Sequence, residues 1–287
     1  MSFFTFTDSK TAIPIAICED KKKIYIEPLN IDEPQKEEEE QSKIINDILK
    51  KIDGLNENEK EILKSYNRQK FKTLNHNKKI TLLPNLKGDD ESCRTAYFIY
   101  GAPGCGKSYL IAEILKNYKK LFPENPIFLF SLKKEDSKLD NIITERFDLD
   151  EDFLETELDY TDFKNSLVIM DDIDGAEKKI YKKLNNLIHS ILAHGRSSNV
   201  SLLLTNHVGA NGHETKHALN NSNAIIIYPE SNRKQNVYVL KNYIGLTDKT
   251  IKRLLKLQCR WICFSKTIPQ YYITSHGQAE FLNNLED

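Results

Sequence analysis

A three-layer α/β domain on a mostly parallel sheet is the fold the sequence predicts, and three observations predict it. Five short apolar runs recur between residues 96 and 228, helical patterns fall between some of them, and a glycine-rich segment joins the first run to the first helical pattern. The runs cover 96–100, 127–130, 167–170, 200–205 and 224–228. Near-continuous apolar runs of this length suit parallel strands buried on both faces. Helical patterns at 108–118 and 177–193 supply crossovers, which are right-handed in parallel α/β units. A further helix is expected over 248–257, then a closing hairpin of 260–264 with 270–274, with Pro269 in or beside its turn.

The first ninety residues read differently. Two extended segments are expected at 13–18 and 23–26, followed by an acidic run at 32–41 that reads as a solvated linker. Ile44, Ile45, Ile48, Leu49 and Ile52 share one helical face, and Asn56 with Glu59 has the spacing of a capping box before a second helix. The expected division is a small, partly helical appendage over 1–90 and an α/β domain over 91–287.

Composition narrows the function classes. The chain has 287 residues, 39% hydrophobic and 29% charged, with a net charge of -1. No global basic field suggests a protein that coats nucleic acid, although a channel could still concentrate a few basic side chains. No apolar run reaches the roughly 20 residues needed to span a bilayer, and no basic start leads into an apolar core, so no membrane association or secretion is expected. The five cysteines show no paired spacing, which fits a reducing compartment.

Chemistry enters at Gly101-Ala102-Pro103-Gly104-Cys105-Gly106-Lys107-Ser108, which matches G-x-x-x-x-G-K-[ST] between an apolar strand and an amphipathic helix. Glycines let the backbone curl until its N–H groups converge on phosphate oxygens, and the helix adds the positive end of its dipole. Lys107 is expected on the β- and γ-phosphates and Ser108 on Mg²⁺, so the cofactors implied are ATP and magnesium. The strand at 167–170 ends in Asp171 and Asp172. Asp171 is the expected magnesium carboxylate and Asp172 the residue that polarises the attacking water; the alternative is that both acids, with Asp174, cap the helix beginning near Glu177.

The strand at 200–205 leads into Asn206, a candidate to touch the γ-phosphate through its amide or simply to start a turn. Arg196 precedes that strand; it is read either as an arginine offered to a neighbouring subunit's phosphates or as a surface residue complementing a helix C-terminus. Arg233 and Arg260 are the other candidates for that role.

Three patterns compete for attention. His213-Glu214-Thr215-Lys216-His217 spells H-E-x-x-H, a zinc signature only when carried on a helix; it is expected in a loop, where it is either a chance match or a segment facing phosphate or DNA. Cys259 and Cys263 read as small buried side chains rather than a metal pair. Lys178, Lys179, Lys182 and Lys183 form a basic stripe that is either a solvated helix face or a DNA contact.

Taken in order, Gly101 to Ser108, the strand ending at Asp171-Asp172, His194-Gly195-Arg196, Thr205-Asn206 and the segment Pro269-Gln270-Tyr271-Tyr272 resemble the genome-packaging ATPases of large double-stranded DNA viruses, a branch of the FtsK/HerA superfamily of P-loop ATPases. The resemblance covers roughly 94–275. Many relatives end the sensor strand in Gln where this chain has Asn206. The resemblance implies an ATP-hydrolysing motor on double-stranded DNA, a homo-oligomeric ring of roughly five or six subunits, an arginine supplied between subunits, delivery of DNA to a capsid, and a place at the viral assembly site or in the virion. Residues 1–90 would dock on a capsid protein or act as a lid. The motifs would serve equally a P-loop ATPase that loads or remodels a protein partner, or a nucleotide-binding switch with little turnover.

Overall fold

The computed structural model describes residues 2–8, 12–28, 72–83 and 94–285. The acidic run and both N-terminal helices expected from the sequence lie outside them.

Strands alternate their side chains between two faces, and here both faces are covered, which is why the central runs are apolar throughout. In β6 (Ala96–Tyr100), Ala96, Phe98 and Tyr100 join one buried cluster while Tyr97 and Ile99 join the other. The same division holds for β7 (Ile127–Ser131), β9 (Leu167–Asp171), β10 (Ser201–Asn206) and β11 (Ala224–Ile227). With β8 (Glu145–Phe147) these form the parallel part of a ten-stranded sheet, in the order β8-β7-β9-β10-β6-β11. Beyond β11 the sheet turns antiparallel through β12 (Ile262–Ser265), β13 (Tyr271–Thr274) and β14 (Gln278–Phe281) to β4 (Thr73–Asn75). The three-layer P-loop fold expected from the sequence is thus present, with its closing hairpin at β12–β13 and a cis Ile268–Pro269 bond in the turn.

One outer layer holds α1 (Lys107–Leu121), whose Leu110, Ile111, Ile114 and Leu115 face the sheet. Beside it packs a four-stranded sheet of β1 (Ser2–Thr5), β3 (Lys23–Pro28), β2 (Ile13–Cys18) and β5 (Ile80–Leu82), in that order, through Phe4, Ile15, Ile24 and Ile80. The opposite layer is helical. It contains α3 (Lys178–His194), α4 (Gly212–Asn221), α5 (Arg233–Val239) continuing into a π-helical turn at Leu240–Ile244, and α6 (Asp248–Leu254). The short α2 (Glu151–Glu155) ends against α3, where Lys183 Nζ donates to the carbonyls of Phe153, Leu154 and Thr156. Lys183 is therefore committed to closing a helix end, and the basic stripe is not uniform.

Two expectations need correction. The stretch 213–217, expected in a loop, lies in the helix Gly212–Asn221: Thr215 Oγ1 accepts from the Asn211 N–H at 2.7 Å and holds the first turn. After residue 230 the chain carries two helices and a π-helical turn where one helix was expected.

Candidate functional site

The C-terminal ends of β6, β9, β10 and β7 finish at one level. Asn206 is registered on Tyr100, and Ser131 on Asp171. Four sequence-distant segments therefore meet at one edge of the sheet, where the chain order reverses direction around β6; open α/β sheets bind ligands at such switch points.

The loop after β6 curls as the motif requires. Gly104 and Gly106 have φ of 79° and 107°, a region L side chains rarely adopt. A Cβ on Gly106 would lie 2.5 Å from the Arg260 guanidinium, a flexible group that could shift, so it is the left-handed φ that calls for glycine here. Cys105 lies within the loop, its thiol raised by burial. The Ala102 N–H donates to Ser231 Oγ at 2.7 Å. Lys107, 6% exposed, donates to the Gly101 carbonyl at 2.9 Å. Its Nζ lies 3.1 Å from His207 Nδ1 and 3.6 Å from Asp172 Oδ1. Ser108 follows at the start of α1, part-buried.

Asp171 is 1% exposed and Asp172 sits in the left-handed region at φ 51°. One hydroxyl ties them together: Thr205 Oγ1 donates to Asp171 Oδ1 at 2.8 Å and accepts from the Asp172 N–H at 3.0 Å. Burial pushes the Asp171 carboxyl above its usual range, against the lowering effect of the Thr205 hydrogen bond. Its Oδ2 is buried and has no hydrogen-bond partner. Lys133 Nζ approaches it only to 3.7 Å. A buried carboxylate oxygen without a donor, at a strand end next to the loop that carries Lys107, fits a hard divalent cation. Neither acid caps α3: Glu177 is its N-cap residue, with no side-chain hydrogen bond, and Asp172 makes none at the 3-10 turn Ile173–Gly175.

Asn206 ends β10, 9% exposed, and its carbonyl accepts from the Gly101 N–H at 3.2 Å. Arg196 is elsewhere. It is exposed in the turn before β10, at the opposite end of a six-residue strand, about 20 Å from its own phosphate loop at 3.3 Å per residue. There it stands close enough to Arg94 to disfavour that residue's charge, adding to the effect of burial. Arg233 opens α5, exposed. Arg260 lies against the chain's own Gly106, with its guanidinium 5.2 Å from the Tyr109 ring centroid.

Sequence reasoning missed His207, Lys133 and the bridging role of Thr205. His207 Nε2 is 3.6 Å from Asp172 Oδ1, and ligand atoms of Asp172, Asp174 and His207 lie within 4.8 Å of one another. Its position directly after Asn206 was the available signal. Among the described residues no metal-ligating cluster includes Cys259, Cys263 or His217; burial pushes the Cys259 thiol up to about 12. The His217 ring instead stacks on His189 at 3.9 Å.

Fold and site together define a nucleotide-binding P-loop domain, and comparison with known proteins agrees: residues 93–233 match the AAA domain family. The chain is 32% identical over 188 residues to the uncharacterized protein V3 of Sputnik virophage, spanning 64% of this chain and 76% of that one. The chain belongs to the same family as that virophage protein. Among solved structures, it is similar to the genome packaging NTPase B204 from Sulfolobus turreted icosahedral virus 2 in complex with AMPPCP, at 14% identity and a TM-score of 0.41, covering 60% of this chain and 92% of the other. The pCW3 conjugation coupling protein TcpA with ATPgS gives 12% identity and a TM-score of 0.39, covering 69% of this chain and 63% of the other. Among the described residues, no helix is long and apolar enough to cross a membrane.

Proposed function

We propose that this protein is a magnesium-dependent ATPase that moves double-stranded DNA, packaging a viral genome into a capsid. The observation that carries the ATPase reading is the meeting of Lys107 and Asp172 at 3.6 Å, with the unpartnered Asp171 Oδ2 beside them. A lysine, a phosphate-binding loop and two carboxylates at one strand edge are the parts that phosphoryl transfer needs. Within the loop Gly101 to Ser108, the N–H groups of Gly101, Ala102 and Cys105 already donate to the Asn206 carbonyl, Ser231 Oγ and the Ala102 carbonyl, and Pro103 has none, so those of Gly104, Gly106, Lys107 and Ser108 are the ones that turn to the phosphates. Lys107 leaves the Gly101 carbonyl for the β- and γ-oxygens. Ser108 and Asp171 would hold magnesium, which would supply charge neutralisation during phosphoryl transfer. Asp172, held by its N–H to Thr205, accepts the proton of the attacking water, and the Asn206 amide positions the γ-phosphate.

The DNA-motor reading is supported by kinship with a virophage protein and by the motif order resembling packaging ATPases. It requires a ring, of roughly five or six subunits, in which Arg196 serves the neighbour's site. Residues 1–90 would dock on a capsid protein or act as a lid between subunits, and the protein would act at the viral assembly site or in the virion. ATP turnover with and without duplex DNA, paired with a mass measurement in the same buffer, tests this reading. DNA-stimulated turnover by an oligomer is expected. A strict monomer with DNA-independent turnover overturns it.

A further inference from the structure

An open groove of about 550 Å³ lies between α4 and α5, on the helical layer and away from the phosphate loop itself. Lys216 contributes from α4, Lys234, Gln235 and Tyr238 from α5, and Tyr243 from the π-helical turn that follows. Tyr238 is 51% exposed, a large amount for an aromatic side chain. Neither lysine is paired with a carboxylate among the described residues, whereas Lys241 on the same segment is neutralised by Asp248 at 3.0 Å.

The groove is tied to the nucleotide site by side-chain hydrogen bonds on both sides. Gln235 Oε1 accepts from the Ala210 N–H at 2.7 Å, and Asn232 Nδ2 donates to the His207 carbonyl at 2.8 Å. The His207 ring is the one that lies on Lys107 and Asp172. Asn236, fully buried, donates to the carbonyls of Tyr228 and Ser231, and Ser231 Oγ receives the Ala102 N–H of the phosphate loop. A displacement of α5 therefore pulls on the phosphate loop and on the loop after β10 together.

We infer that this groove receives the sugar–phosphate backbone of duplex DNA and that its occupancy is passed to the ATP site through Asn232, Gln235 and His207. The inference rests on the DNA-motor reading and names the surface that reading lacks. Two unpaired ammonium groups and two phenol donors in an open trough match a phosphate backbone, whose contacts are made by Lys and Tyr side chains without reading sequence. The open form of the trough and the charge of Lys216 and Lys234 suit a phosphate backbone better than the apolar anchor of a protein partner. When Lys107 turns to phosphate it releases His207, so nucleotide and DNA each alter the arrangement the other meets. Coupling of that kind is reciprocal.

The test uses the full chain, a Lys216→Ala/Lys234→Ala double variant and an Asn232→Gly variant, with thermal melting as the check on folding. Duplex affinity is measured by fluorescence anisotropy across a salt series, with and without a non-hydrolysable Mg-ATP analogue. Loss of two phosphate contacts should lower the slope of log affinity against log salt by about 1.8 and weaken binding at least about tenfold at low salt. Asn232→Gly, which keeps the left-handed backbone and removes the donor to the His207 carbonyl, should bind duplex within about threefold of the parent but lose the change in affinity that the nucleotide causes. A folded double variant with the parent's affinity and slope overturns the groove while leaving the motor reading standing. A parent that binds an acidic polypeptide through these lysines, and no duplex, overturns both.

Discussion

Lys107 Nζ and Asp172 Oδ1 stand 3.6 Å apart, with the His207 ring within 3.6 Å of both. The ammonium is 5% exposed at its side chain and is satisfied by the Gly101 carbonyl and the imidazole. On the proposed reading these contacts give way to phosphate when nucleotide binds. Lys107→Ala should cut ATP turnover at least about 100-fold. Nucleotide-induced stabilisation separates binding from chemistry. The parent should gain about 2.7 kcal/mol at a hundredfold excess over Kd, read as a rise in Tm. The variant should show no such rise, and a full rise would remove Lys107 from the phosphate site.

Asp171 and Asp172 should respond differently to loss of charge. Burial raises the Asp171 carboxyl, so the folded state holds its proton more tightly than the unfolded chain does. As pH rises from the ordinary carboxylate range through that raised value, stability falls, and the penalty is complete once pH lies above it. Asp171→Asn retains an Oδ1 to accept from Thr205 and removes the buried charge. Its nucleotide-free Tm at pH 7.5 should equal or exceed the parent's, while magnesium-dependent turnover disappears. Asp172→Asn, at a part-exposed position, should leave Tm close to the parent's and lower turnover with nucleotide affinity kept. Differential scanning fluorimetry beside a phosphate-release assay checks both.

How much of this was legible in the sequence follows from what kind of physics holds each part. The strands β6, β9 and β10 and the loop from Gly101 to Ser108 were legible because burial on two faces and a fixed glycine spacing leave local marks. By contrast, α5 was missed because its buried anchor is Asn236, held by hydrogen bonds to Tyr228 and Ser231, and an apolar-periodicity reading does not register it. The turn Asn211-Gly212 concealed the start of α4. Pairing of β14 with β4 joins residues about two hundred positions apart through short alternating strands that carry little signal of their own. Lys133 reaches Asp171 only because β7 registers Ser131 on Asp171, a fact of tertiary pairing.

The stacked pair His189 and His217 joins α3 to α4 with centroids 3.9 Å apart, and burial lowers both pKa values from the ordinary histidine range. His217 is lowered further by the neighbouring His189. Above an unfolded pKa of about 6.5 both rings are neutral in either state and exert no pH-dependent effect. As pH falls below that, the unfolded chain takes up protons first, so the folded state loses stability. Tm measured from pH 7.5 to 5.5 should therefore decline, and His189→Leu should flatten the decline. An unchanged slope in the variant would place the acid sensitivity elsewhere.

Arg196 and Arg260 make opposite predictions from their positions. Arg196 is at the far end of β10 from its own phosphate loop, so any contact with a triphosphate must be on a neighbour. Arg260 lies against Gly106 of its own chain, so any contact it makes is within one subunit. Mixing two inactive variants separates these cases. In an equimolar mixture of Lys107→Ala with Arg196→Ala, about one quarter of the junctions in a ring pair an intact Lys107 with an intact neighbouring arginine. Turnover should return to roughly that fraction of the parent. In a mixture of Lys107→Ala with Arg260→Ala no junction regains both residues on one chain, so no recovery is expected. Subunits must be exchanged before assay, and labelled-subunit mixing confirms that they have been. If Arg196→Ala alone turns over like the parent, Arg196 only complements the C-terminus of α3. Recovery with the Arg260→Ala partner would instead identify Arg260 as the residue that crosses between subunits.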